Sequence, residues 1–166
     1  MKVKILMNKV SWDVKKELLE VKKWFSKYVD LDFEIELICL TKIEWQSNKQ
    51  GLKKYWVDKV IIDDSADIYV LNLPKVQWEA DHLGFAPLED FRGQKLIAMT
   101  SSVNGKRKLN KGWMSDNEFA GRLRHELCHT FYQLTKGKDK LHVLEQDNIS
   151  LALKDIKWKN LKSTQG

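Results

Sequence analysis

Apolar and polar residues change their spacing along this chain, and each change marks an element. Residues 3–7 alternate, with Val3, Ile5 and Met7 on one side and Lys4 and Leu6 on the other, which predicts a strand. Ser11 can cap the helix that follows, in which Val14, Leu18, Val21, Phe25 and Tyr28 recur at helical spacing with lysines opposite. Residues 33–40 return to a strand pattern. Strand, amphipathic helix and strand in this order form a crossover unit, which favours parallel pairing and a right-handed connection. Residues 41–60 carry no clear period. Residues 67–73 read as a third strand stopped by Pro74, and residues 95–103 as a fourth. Asn104-Gly105 suits a type I′ turn that could fold the chain back over residues 106–109.

The longest helical pattern begins after Trp113-Met114. Ser115 with Glu118 has the form of a capping box, the pattern runs to about Thr135, and Gly137 closes it. Residues 148–158 form a candidate final helix, and residues 160–166 read as a disordered polar tail. The fold class expected is α+β with an α/β-type start. It has a mixed sheet of four to five strands, one crossover helix, one long helix and a short C-terminal helix. With 166 residues and no repeat or linker, residues 1–159 are expected to form a single domain.

Composition narrows the setting. Two cysteines, Cys39 and Cys128, cannot form a disulfide framework, so a reducing compartment is the simpler expectation. No apolar stretch is long enough for a signal peptide or a bilayer span, and the chain is expected to be cytoplasmic with no membrane partner. The net charge of +6 raises the question of nucleic acid. Its lysines are nevertheless interleaved with acids along the whole chain, which favours a solvated surface over a binding patch. The seven tryptophans are scattered and better suited to packing than to base stacking.

The chemistry lies in His125-Glu126-Leu127-Cys128-His129. Histidines four apart on a helix project from one side, so both imidazoles can reach one tetrahedral zinc, and a Glu after the first stands beside the open position as a general base. The motif is short enough to arise by chance, so context decides. On a helical wheel Phe119, Leu123, Leu127, Phe131 and Leu134 cluster, and the two histidines fall opposite them. Core histidines would lie on that stripe; solvated surface histidines remain the competing reading. Cys128 points away from the pair and reads as a packed residue. Glu118 and Arg122 lie on the ligand side, as partners of the site or as an exposed ion pair.

A third ligand is sought downstream. Carried on to Gly137, the helix leaves His129 behind by about 12 Å. From Gly137 to His142 the chain spans up to roughly 17 Å and can turn back, whereas Asp139 covers only about 7 Å. His142 is therefore the first choice and Asp139 the second, with Glu145 and Asp147 further off; His82 is the other histidine available.

On these residues the chain resembles the zincin metallopeptidases, and more narrowly a reduced metzincin-like branch. Such domains open with strand, helix and strand, add further strands, then present the motif helix. Their sheet ends in an antiparallel edge strand beside the cleft, preceded by a Gly-x-Ala stretch that Leu83-Gly84-Phe85-Ala86 is similar to. Their close-following Gly and third His are stretched here to Gly137 and His142, and the last methionine is Met114, so the Met-turn has no counterpart. The resemblance implies a hydrolase with one zinc per chain, ligands His125, His129 and His142, and Glu126 as base. A protein or peptide substrate would lie along Gly84, Phe85 and Ala86. Two other readings stand beside it: a SprT-like protease acting on DNA-associated protein, and a binding or structural protein without catalysis.

Overall fold

Strands β1 (Lys2–Met7), β2 (Asp32–Leu37), β3 (Ile68–Leu73), β4 (Gly84–Phe85) and β5 (Lys95–Thr100) form one sheet in the order β2-β1-β3-β5-β4. The computed structural model describes residues 1–10, 12–38, 63–73, 84–85, 95–100, 119–136, 154 and 156–162. β1 pairs in parallel with both β2 and β3, and β3 with β5. Among the described strands β4 alone runs antiparallel, with Gly84 opposite Met99 and Phe85 opposite Ala98. The fold is thus the expected α+β arrangement with an α/β-type start. The Gly-Phe pair forms the antiparallel edge strand itself, where the resemblance had set it just before that strand.

Helices α1 (Val14–Phe25) and α2 (Phe119–Lys136) cover one face of the sheet, and a short α3 (Trp158–Lys162) packs on α2. The alternation that predicts the strands selects that face: Val3, Ile5, Met7, Ile68, Val70 and Ile97 all join the core under the helices. On α1 the 3.6-residue period buries Val14, Leu18, Val21 and Phe25. Its cap is Asp13, whose side chain accepts from Lys16 N, and not Ser11. The helix ends at Phe25, so Tyr28 lies in the following turn and stacks on Trp158 with ring centroids 4.6 Å apart. Phe131 of α2 meets Phe25 edge-on at 5.4 Å and Trp158 at 5.6 Å, tying the three helices through aromatic contacts.

The opposite sheet face is buried as well, at Leu6, Tyr69, Leu71, Leu96 and Ala98, as parallel strands require. Toward β2 that face turns polar. Lys4 is buried there, with its Nζ donating to Asp63 Oδ2 at 3.0 Å and Ser65 Oγ at 3.1 Å, and paired with Glu36 at 3.0 Å. Burial works against its charge, but the bonds to Asp63 and Glu36 outweigh that, and Lys4 titrates above its ordinary range. Hydrogen bonds from Ser65, Lys4 and Tyr69 hold the Asp63 carboxyl below the usual carboxylate range.

The remaining differences concern boundaries. β2 runs from Asp32 to Leu37, shorter than residues 33–40 suggested, while residues 101–103 of the expected fourth strand lie outside the described residues. The hairpin over 104–109, the Ser115–Glu118 box and the Gly137 stop lie outside the described residues. Of the expected helix over 148–158, residues 148–153 and 155 lie outside the described residues and Lys154 is helical; a further short helix runs from Trp158 through Lys162 with Leu161 buried. Asn160 therefore belongs to a helix anchored by Leu161 and is not the start of a polar tail. Among the described residues no helix is long and apolar enough to cross a membrane.

Candidate metal centre on the long helix

Helix α2 packs against α1 on one flank and against β5 and the edge strand β4 below. Phe119, Leu123, Leu127 and Phe131 form its core stripe, joined by Cys128, whose thiol is buried as a packed residue would be. Leu134, counted in that stripe from the sequence, is 40% exposed.

On the other side, the four-residue spacing brings the two histidines together. His125 Nε2 and His129 Nε2 lie 2.9 Å apart, with ring centroids 4.6 Å apart and planes at 68°. Both rings aim the same nitrogen at one point. That distance suits a hydrogen bond between rings in different tautomers. It also suits a shared cation, which needs both Nε2 lone pairs and hence the remaining proton on each Nδ1. Tetrahedral zinc with bonds of about 2.05 Å holds its nitrogens about 3.3 Å apart, so the rings would have to separate by only about 0.4 Å. The donor pair fits such an ion.

The surroundings correct one sequence expectation. His129 is 5% exposed and Glu126 7%, while His125 is half-buried, so His129 is not a solvated surface histidine. Arg122 is 5% exposed, so it does not lie on an exposed face of the helix; Glu118 lies outside the described residues. Arg122, Glu126 and His129 follow one another at spacings of four and three, forming a buried polar strip on the side of α2 away from the core stripe. The wheel already sets Arg122 beside Glu126; what periodicity does not supply is the cover that buries them. Thr130 Oγ1 donates to the Glu126 carbonyl at 3.0 Å, one turn back within the helix.

Of the other predicted site residues, Gly84 and Phe85 form β4, next to α2. Ala86, His82, Glu118, Asp139, His142, Glu145 and Asp147 lie outside the described residues. Among the described residues no group of three or more His, Cys, Asp or Glu side chains is set to hold a metal ion, so the described donors are the two imidazoles. No protein-family model, curated protein or solved structure matches this chain.

Proposed function

We propose that the chain is a zinc-dependent metallopeptidase of the zincin type, acting on protein or peptide substrates in the cytoplasm. One zinc would be held by His125 and His129 with His142 as third ligand, or Asp139 in its place, and Glu126 would be the general base. The observation that carries this reading is the convergence of the two Nε2 atoms at 2.9 Å, one turn apart on a helix. Two further features support it. Glu126 follows His125 directly and is shielded from bulk water, as a base beside an activated water needs to be. A binding site of purely structural kind would have no use for it.

Zinc, when bound, lowers the pKa of water in contact with it to about 7 and polarises a carbonyl. Glu126 takes a proton from the water as the oxygen adds to the carbonyl carbon. It then gives that proton to the amine nitrogen as the carbon–nitrogen bond breaks. The backbone of Gly84 and Phe85 forms an antiparallel edge next to the motif helix. An extended substrate could add to that edge by main-chain hydrogen bonds, continuing toward Ala86.

Peptide-library cleavage by purified protein, with and without a chelator and beside Glu126→Gln, tests the proposal. The wild-type chain should cleave, and chelator should stop it. Glu126→Gln should retain zinc while losing activity by a factor of 10² or more. Equal cleavage by wild type and variant would remove Glu126 from the mechanism. Cleavage that appears only with single-stranded DNA would direct the enzyme to DNA-associated protein.

A further inference from the structure

Helices α1 and α2 run side by side in the same direction. Glu17, near the start of α1, touches the start of α2, and Phe25, at the end of α1, packs on Phe131 further along α2. Two parallel helices bring their positive N-terminal ends together, an arrangement their dipoles oppose. Among the described residues the first turn of α2 carries no acidic residue, and it ends on the cationic Arg122. Its early N–H groups have no carbonyl partner within the helix. At Ala120 that donor goes to Glu17 Oε1 at 3.4 Å, so α1 supplies a carboxylate to this turn of α2. Trp12 packs on Phe119 at the same junction, with centroids 6.5 Å apart. Glu17 is half-buried, lies in the first turn of α1, and thus serves both helix starts.

We propose that Glu17 is a positioning residue for the histidine pair: by capping α2 from the neighbouring helix, it fixes the rotation and axial place of the turn from which His125 and His129 project. Ala120 lies five residues before His125, about 7.5 Å along the helix. A loosened first turn would leave the following turn free to rotate, and two imidazoles converging within 2.9 Å tolerate little rotation. Residues behind metal ligands commonly change affinity 10–100-fold. At this greater remove, Glu17→Ala is expected to weaken metal binding about three- to tenfold.

The inference rests on the metal reading above, and the test separates the two. Cobalt(II) binding is measured on the full chain by competition with a chromophoric chelator, together with the visible spectrum of the bound ion. The chains compared are wild type, Glu17→Ala, Glu17→Gln and Glu20→Ala. Glu20→Ala makes the same charge change on the exposed side of α1. Weaker cobalt binding and an altered spectrum in Glu17→Ala, partial recovery in Glu17→Gln and none of this in Glu20→Ala would support the positioning role. If Glu17→Ala does not fold, Glu17→Gln decides, since it keeps an acceptor and loses the charge. Wild-type affinity and spectrum in the Glu17 variants, with only the melting temperature lowered, would make Glu17 a structural cap and overturn the inference alone. A wild-type chain that takes up no cobalt would overturn the metal reading and this inference with it.

Discussion

An ammonium is costly to take out of water unless oxygen atoms replace its hydration, and Lys4 meets that condition with Asp63, Ser65 and Glu36 around its Nζ. Asp63 in turn accepts from Ser65 N, Ser65 Oγ and Tyr69 Oη, so one carboxylate joins β1, the turn before β3 and β3 itself. Asp64, in the left-handed region at φ 60°, lets that turn close, and an Asp tolerates the conformation better than most residues. The folded Asp63 carboxyl titrates below its ordinary 3.8, so its contribution is present above that pH and is lost as the pH falls below it. The folded Lys4 titrates above its ordinary 10.5, so its contribution is complete below that value and is lost as pH rises past it. Asp63→Asn should therefore flatten the acid side of the stability–pH curve, read from urea midpoints between pH 3 and 7. Lys4→Met, which leaves half-exposed acids unpaired, should cost on the order of 1–2 kcal/mol at pH 7. An unchanged acid limb in Asp63→Asn would show that other carboxylates control it.

At the scale of elements, the helices depend on a few aromatic contacts. Phe131 touches both Phe25 and Trp158, and so connects α1, α2 and α3 at once. Phe131→Ala should cost about 3–5 kcal/mol, measured by chemical denaturation, and should lower protection of amides in α2 from exchange. A loss below about 1 kcal/mol would mean that the cluster repacks around the gap. Elements with an unbroken period were legible in the sequence: the alternation of residues 3–7 and the stripe from Val14 to Phe25 correspond to β1 and α1. What escaped was settled by side-chain bonds and packing that periodicity does not show. Asp13, not Ser11, caps α1 because its side chain reaches Lys16 N. The last helix forms about Trp158 and Leu161, and two apolar positions in five residues are too few to set a period. The polar side of α2 reads the same in sequence whether water or protein covers it. Burial of Arg122, Glu126 and His129 was for that reason invisible to a helical wheel, although the meeting of the two histidines was not.

Across the whole molecule, the order of the strands sets where chemistry can occur. Because β5 follows β3 and pairs with a short antiparallel β4, the sheet ends in an edge beside the long helix. An edge strand offers backbone groups to an extended chain, and the helix that carries the nitrogen pair packs against that edge strand. An ion held by both His125 and His129 would bind only the folded chain and so stabilise it, by about 2.7 kcal/mol at a hundredfold excess over its dissociation constant. The most direct test is a zinc titration of metal-free protein, followed by calorimetry for uptake and thermal melting for stability, beside His125→Ala and His129→Ala. Uptake of one zinc per chain with a raised melting temperature, both lost in each variant, is the predicted result. Failure of the wild-type chain to bind zinc, or equal binding by the variants, would contradict it.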